Sequence, residues 1–502
     1  MFTKRNFVSN IKYVFGELHC LNKLALVGAF SLFSDAVQVK TGTIFLSRTS
    51  GADISGKVGA LYLGQTLINI TSYCIMQGIT VGMCALCSQA HGANNHILVG
   101  TYFMRAMLIS LLTCLPLWSF WISVRPLILY MTGDMELAEG AGHYTTMFCF
   151  GYPAFIYYKL ANGFLQSQNI VYFLMFVMVA GNICNICLQY IFVVVIPLEI
   201  TGVGLAYVIS TNIVALFAYF YIKMTNVHIL NFNGWSFEFL SGWLHMLKYG
   251  MASFAQILLD GIIFRIVPIV FIGFFLKDKE QFALLGILNI VWFVALTVPI
   301  GYGIGASVRI GNLLGAGNLQ AARKTTVIAI LYLLSFECCF GILTFSLSEP
   351  LSYLFTSIQE MRVQIEFGIR VLTFCILSDI LTALRSILTV CSLHLYATFI
   401  QFVCVLLIGS PLGILVAFYV PWRAAAYYLM PSLFSIIAFF LQLLLLYFHD
   451  WRKILDKVES NVYSKDTSST HQPTINKAFL LFRYLLLIFI GIALFATAYL
   501  YC

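Results

Sequence analysis

Apolar runs of about twenty residues or more, separated by short polar breaks, recur thirteen times along the chain. They lie near residues 24–46, 58–84, 97–124, 144–165, 170–196, 201–224, 249–276, 282–306, 325–348, 364–392, 396–421, 424–448 and 479–500. As helices rising 1.5 Å per residue, runs of this length cross the roughly 30 Å hydrocarbon core of a bilayer. The pattern predicts an all-α polytopic membrane protein. Two polar breaks are long. Residues 226–245 contain HILNFNGWSFEFLSGWLH, a short amphipathic stretch whose Trp235 and Trp243 suit headgroup depth. The other, HDWRKILDKVESNVYSKDTSSTHQPTINK, is rich in Ser, Thr and Lys and reads as a mobile polar tether. The expected organisation is an N-terminal segment 1–23, a first six-span lobe 24–224, an interfacial linker 225–248, a second six-span lobe 249–448, a tether 449–478 and a thirteenth span 479–502.

The two lobes read as copies. Gly82-Met-Cys-Ala-Leu-Cys-Ser-Gln-Ala-His-Gly-Ala-Asn-Asn95 aligns without a gap, 223 residues later, with Gly305-Ala-Ser-Val-Arg-Ile-Gly-Asn-Leu-Leu-Gly-Ala-Gly-Asn318. The shared core is Gly-x6-Gln/Asn-x-x-Gly-Ala-x-Asn, placed after the second span of each half. Many secondary transporters are built from such repeats, with the substrate site between them and alternating access by rocking. An even number of spans per copy makes the repeat parallel.

Composition agrees with the pattern: 61% of residues are hydrophobic and only 10% charged, which excludes a soluble globular domain. The first twenty residues, MFTKRNFVSNIKYVFGELHC, have no apolar core and no small-residue cleavage site, so the start is expected to stay cytoplasmic. Lys and Arg support this orientation. With the start inside, the inner segments hold Lys4, Arg5, Lys12, Lys23, Lys223, Lys248, Arg309, Arg323, Lys324, Arg385, Arg452, Lys453, Lys457, Lys465, Lys477 and Arg483, about twice the number outside. Thirteen spans then put Cys502 outside the cell, in the plasma membrane as the expected location. The formal charge of +8 reflects this bias and implies no nucleic-acid partner. The pairs Cys84/Cys87 and Cys184/Cys187 have CxxC spacing but apolar flanks, and read as packing residues rather than metal ligands. No metal or other cofactor is expected.

The candidate chemistry lies inside the spans. Met251–Leu276 runs between Lys248 and Lys277 with Asp260 and Arg265 as its only charges. A carboxylate at mid-membrane costs at least about 2.5–3.5 kcal/mol on insertion scales, so Asp260 should face a bundle interior or a watery cavity and mark a pathway. Glu337, in LSFECCF of the ninth span, reads as an ion-pair partner of Arg265 before a proton carrier. Arg105 and Lys159 read as residues that snorkel to an interface. Asn69-Ile-Thr71 fits a glycosylation pattern but lies within a span, and GYGIGA at 301–306 is not a dinucleotide fingerprint.

Five stretches carry a family resemblance: CSQAHGANN at 87–95, FLQSQNI at 164–170, GVGLAYVIS at 202–210, NGWSFEFLSGWLHMLKYG at 233–250 and VPIGYGIGASVRIGNLLGAGNLQAARK at 298–324. The chain resembles the multidrug and toxin extrusion (MATE) transporters, and the thirteenth span after a polar linker resembles the animal branch. The resemblance implies a V-shaped pair of pseudo-symmetric six-helix bundles, a twelve-span core plus a thirteenth helix, exporting organic cations or other xenobiotics in exchange for protons. Its seventh-span acid falls on Asp260 and its tenth-span acid on Asp379, before Gly409-Ser410-Pro411. Where the animal pattern has a second seventh-span glutamate the chain has Arg265, and the eighth-span glutamate falls on Ile290, beside Asn289. The bacterial first-span aspartate falls near Thr43, while Asp35 lies about two turns earlier, with Lys40. These departures remove negative charge from the expected cavity.

Two carboxyls in one cavity are enough for antiport. A carboxyl group kept from water and near a second one favours its neutral form, whereas a cationic substrate favours the ionised form, so proton and cation compete. Asp260 is expected to carry the proton and Asp379 chiefly the substrate, with Asp35, Arg265, Asn289 and Glu337 as secondary candidates. Tyr157, Tyr158, Trp292 and Phe293 read mainly as packing residues that could add cation–π contacts. The expected partners are the organic substrate, protons and the bilayer, with the monomer as the working unit. The alternative is a transporter of the same fold coupled to Na⁺ or taking anionic or lipid-like substrates. A membrane enzyme or receptor would need a constellation such as HExxH, which is absent from the sequence.

Overall fold

The computed structural model describes residues 4–49, 54–227, 231, 241–271, 279–355, 359–420 and 423–463. The thirteenth span, the second half of the tether and Trp235 lie outside these residues. Helices account for nearly all of the rest. The first lobe holds α1 (Lys4–Thr49), α2 (Ile54–Ile68), α3 (Cys74–Gly92), α4 (His96–Ile122), α5 (Val124–Thr132), α6 (Met135–Ser167), α7 (Tyr172–Gln189) and α8 (Glu199–Met224). The second holds α9 (Trp243–Gly261), α10 (Val267–Phe271), α11 (Lys279–Gly315), α12 (Leu319–Ser346), α13 (Ser348–Phe355), α14 (Gln359–Val390), α15 (His394–Gln401), α16 (Ser410–Tyr419), α17 (Arg423–Tyr427) and α18 (Leu429–Phe448). A further helix, α19 (Trp451–Tyr463), follows. Single π-helical turns join α2 to α3 (Asn69–Tyr73), α9 to α10 (Ile262–Ile266) and α15 to α16 (Phe402–Gly409), so each pair forms one bent span.

Counted as spans, these elements give six per lobe. Eleven are long and apolar enough to cross a membrane by composition alone. The twelfth is α6, the expected fourth span, which falls short because it is the lobe's interior helix. It packs on α2, α3, α4 and α8 and turns Thr145, Lys159, Asn162 and Gln166 inward. A helix shielded from lipid by its neighbours need not be apolar all round. In the second lobe α14 holds the same place, against α11, α12 and α18.

The repeat is visible in the backbone. After α3, the Asn95 N–H donates to Ala90 O and the Asn94 N–H to His91 O, with Asn94 at φ 59°; after α11, Asn318 donates to Leu313 O and Gly317 to Leu314 O, with Gly317 at φ 72°. Each of these pairs is 223 residues apart. Asn95 Oδ1 then caps α4 through Leu98 N–H, and Asn318 Oδ1 caps α12 through Ala321 N–H. The same offset relates the turn at Asn169 (φ 62°) after α6 to that at Ser392 (φ 61°) after α14, where the left-handed residues themselves differ.

The duplicated motifs also pack against each other. A Cβ on Gly92 would overlap the carbonyl of Asn312, and one on Gly315 the carbonyl of Gln89, the position 223 residues before Asn312. This is the self-complementary contact that a two-fold axis generates. On either side α3 crosses α9, where a Cβ on Gly82 would stand 2.8 Å from Gly250 N, and α11 crosses α1, where one on Gly305 would stand 2.6 Å from Ala25 N. Small residues that let backbones touch are the usual glue between membrane helices. All these contacts lie at the end where α1 begins, here termed the near end. The lobes meet there, each around its own apolar core.

Two expectations about chain ends change. Residues 4–23 are not a separate tail, because α1 runs unbroken from Lys4, and Glu17 accepts from Arg309 at 2.6 and 3.0 Å and from Thr325 Oγ1 at 3.2 Å. Nor is the start of the tether mobile. Trp451, Ile454, Val458 and Val462 repeat at helical spacing and are buried in the second lobe's core.

Candidate functional site

Between the lobes, above the near-end contacts, lies a cavity of about 160 Å³. The first lobe lines it with α1, α3 and the Asn69–Tyr73 turn; the second contributes α9 and its π turn, α11, α14 and α18. Asp260, Asp379 and Arg265, three of the residues singled out by the sequence, all line it.

Asp260 is the second-last residue of α9, two positions before the π turn that carries Arg265. Inserting the wide turn rotates the following residues, which is how Asp260 and Arg265 come to face the same space although five positions separate them. Asp260 Oδ2 accepts from Arg385 Nη2 at 2.6 Å, and Oδ1 accepts from Gln401 Nε2 at 2.6 Å. Arg385 is 5% exposed and also donates to Gln401 Oε1, Gln256 O and Leu381 O. Arg385 is therefore not a loop residue and leaves the census of inner basic charges. It is an interior cation, fully bonded, held against Asp260 by charge-assisted hydrogen bonds.

Asp379 is 4% exposed, and both its oxygens accept from the indole Nε1 of Trp292, at 3.2 and 3.0 Å. No cation lies within salt-bridge distance of it among the described residues. Trp292 packs on Phe264, ring centroids 5.2 Å apart, so the cavity has an aromatic wall beside the acid. Of the four aromatics considered as cation contacts, Trp292 and Phe293 line the cavity, whereas Tyr157 packs on Phe103 and Tyr219. Tyr158 lies beside Lys159.

The expected Arg265–Glu337 pair is not formed. Both Glu337 oxygens are buried without a hydrogen-bond partner among the described residues. Glu337 lies on the inward stripe of α12. One turn later, Gly341 faces Thr373 and Leu377 of the antiparallel α14, which sets Glu337 level with Asp379. Arg265 has no carboxylate partner among the described residues either; its charged neighbour is Lys40, whose ammonium sits 5.7 Å from the Tyr62 ring.

In the first lobe Asp35 forms an ion pair with Lys159, which is 5% exposed and enclosed by the rings of Tyr73, Phe155 and Tyr158. Lys159 thus does not reach for an interface, and Arg105, 6% exposed, does not either. Lys159 stands on the interior helix α6, where Asp35 is a partner closer than the headgroups, whereas Arg105 on α4 packs against Gly242, just before α9, and over the Tyr102 ring. Lys159 lines a smaller cavity of about 40 Å³ that adjoins the first through Leu32, Gln77, Val81 and Ile304. Asn289 is not at the site; its side chain donates to Leu285 O of its own helix at 2.9 Å. In both lobes an acid on the first span meets a base on the fourth, Asp35 with Lys159 and Asp260 with Arg385. Sequence reasoning missed both bases. An intramembrane acid does demand a named partner, but which span supplies it is decided by helix packing.

The family model described as MatE matches residues 41–191 and 252–415, most of both lobes. The chain belongs to the MatE family. It is similar to Multidrug and toxin extrusion protein 1 of Danio rerio, 29% identical over 334 residues that cover 65% of this chain and 55% of that protein. The same protein of Homo sapiens is 29% identical over 308 residues, 61% of this chain and 53% of that one. The chain spans about half the length of these curated relatives. In three dimensions it matches the eukaryotic MATE transporter AtDTX14 with a TM-score of 0.83 at 20% identity, over 89% of this chain and 99% of that one. The fold is therefore the MATE fold, two six-helix lobes facing each other across a cleft.

Proposed function

We propose that this MATE chain is a secondary active antiporter of the plasma membrane, exporting organic cations or other xenobiotics in exchange for protons. The observation that carries the reading is one cavity between two pseudo-symmetric lobes, lined by two intramembrane acids and closed at the near end. With the chain start in the cytoplasm, as the Lys and Arg bias favours, this is an outward-facing state. Rocking about the duplicated motifs would open the near end and close the other. One chain encloses the cavity, which supports the monomer as the working unit.

The coupling step can be assigned to particular oxygens. Asp260 already has a cation, the guanidinium of Arg385. Among the described residues Asp379 has only an indole donor, so a positively charged substrate and a proton compete for the Asp379 carboxylate while Asp260–Arg385 balances charge beside it. This moves the exchangeable proton from Asp260, where the sequence alone placed it, towards Asp379. The test is exchange of a labelled organic cation in proteoliposomes under a clamped proton gradient. Wild-type exchange should rise with the gradient driving protons towards the cargo compartment, and the Asp379→Asn profile should be flat. A wild-type pH response in Asp379→Asn returns the proton to Asp260, and a response to a Na⁺ gradient alone refutes proton coupling.

Arg265 favours a second reading. A guanidinium without a carboxylate partner among the described residues, facing an aromatic-walled cavity, would hold the acidic group of an organic anion. Anion and proton then bind cooperatively rather than competitively, so the sign of the pH dependence reverses, and the same assay separates the two.

A further inference from the structure

At the near end the lobes are joined by more than their own helices. Asp450 Oδ1 caps α19 through Arg452 N–H, and the helix lies on the second lobe with Ile454 and Val458 each 1% exposed. Its other face, with Arg452, Lys453, Asp456 and Glu459, is solvated. Lys457 Nζ donates to Ser392 O, in the turn after α14, at 3.3 Å. Up to this point α19 is part of the second lobe.

Its last turn belongs to both. Asn461 Nδ2 donates to Gln89 Oε1 of the first lobe at 3.3 Å and to Tyr249 Oη of the second at 3.1 Å, and Asn461 Oδ1 meets His245 Nε2 at 3.0 Å. The final carbonyls of a helix have no partner within it. Here the first lobe supplies them: Tyr102 Oη donates to Asn461 O at 3.2 Å, and Asn95 Nδ2 to Val462 O at 3.4 Å. Asn95 uses its other atom, Oδ1, to cap α4, so one amide both starts a first-lobe helix and holds the end of α19. Gln89 likewise reaches across the seam, donating from Nε2 to Val390 O at 2.8 Å. The turn of the duplicated motif, where the lobes meet, is thus gripped by a segment that follows the last span of the second lobe.

We propose that α19 is a latch: it rides on the second lobe and holds the near end shut through its last turn, and release of Asn461 and Val462 from Gln89, Asn95 and Tyr102 is a required step in opening that end. The proposal rests on the alternating-access reading above. It makes Asn461 a positioning residue for the conformational change, remote from the cavity acids.

The experiment follows the seam directly. Ser88 is 0% exposed and packs on Gly311 across the lobes, so a Ser88→Cys side chain is reached by a membrane-impermeant maleimide only when the near end opens. Labelling of that position is quantified by mass spectrometry on the full chain in vesicles of each orientation. Asn461→Ala removes three side-chain bonds and should raise near-side labelling about five- to tenfold. Tyr102→Phe removes one hydroxyl, keeps the ring, and should raise it about two- to threefold. Far-side access to the main cavity should fall in step, which a loss of packing alone would not produce. Unchanged near-side labelling in both variants, with wild-type elution on size exclusion, overturns the latch; should Asn461→Ala aggregate, Tyr102→Phe decides. If both variants shift labelling while no gradient drives solute movement in wild type, the latch stands and the transport reading falls.

Discussion

The Asp260–Arg385 pair offers the sharpest quantitative test of the site. Arg385→Gln removes the guanidinium but leaves Asp260 the amide of Gln401, and Asp260→Asn does the converse. At an effective dielectric of about 20, unit charges about 4 Å apart attract by about 4 kcal/mol. The Arg385 side chain is 6% exposed but Asp260 is 27% exposed, so solvent reaches one partner and screens part of that attraction. We therefore expect a coupling of about 2–3 kcal/mol, while either single substitution, which leaves one charge without its partner, destabilises by about 2–4 kcal/mol. Purified protein in detergent, followed by thermal unfolding with a thiol-reactive dye, reads this as midpoints: each single variant falls, and the double variant recovers most of the loss. Additive midpoints would refute the pairing. Exchange measured on the same proteins separates stability from function, because the double variant should fold well yet present a cavity with a different charge balance.

Arg265→Glu should raise exchange of monovalent organic cations in proteoliposomes and lower any exchange of organic anions; unaltered selectivity would make Arg265 a purely structural cation. Glu337→Gln should leave thermal stability within about 1 kcal/mol of wild type, since the carboxylate accepts no bond that the amide loses, whereas Glu337→Lys should be severely destabilising. Gly315→Val should wedge the duplicated motifs apart and raise near-side labelling at Ser88→Cys, as the latch variants do; no change would mean the close approach is not maintained in the bilayer. Deleting residues 464–502 should spare exchange per molecule at the cell surface, while deleting 451–502 should not, and equal effects would deny α19 a role. A tag before Met1 should be shielded in intact cells, and antibody access to it would invert the assigned orientation.

The sequence by itself determined the number of spans per lobe, the parallel repeat and the acids worth testing. It could do so because lipid imposes a period and a length on every apolar run, and because a charge inside such a run is costly enough to be informative alone. The gapless 223-residue offset was legible at Gly82–Asn95 and Gly305–Asn318, where a left-handed turn and a side-chain cap restrict residue type. At Asn169 and Ser392 the turn is the same but the residues differ, so only the backbone reveals it. What tertiary structure decided was partnership. Nothing in the spacing of Asp260, Arg385 and Gln401 says that three helices bring them within 2.6–3.1 Å, or that Lys159 turns inward to Asp35. Glu337 and Arg265, the pair composition favoured, are left apart because the helical stripe carrying Glu337 is already directed at α14. The segment after Phe448 reads as polar tether by composition, yet Trp451, Ile454, Val458 and Val462 fall on one face, and that stripe finds a core only once the second lobe is built. Residue type and period fix which groups are expensive to bury; which other group relieves the expense is settled by how the helices cross.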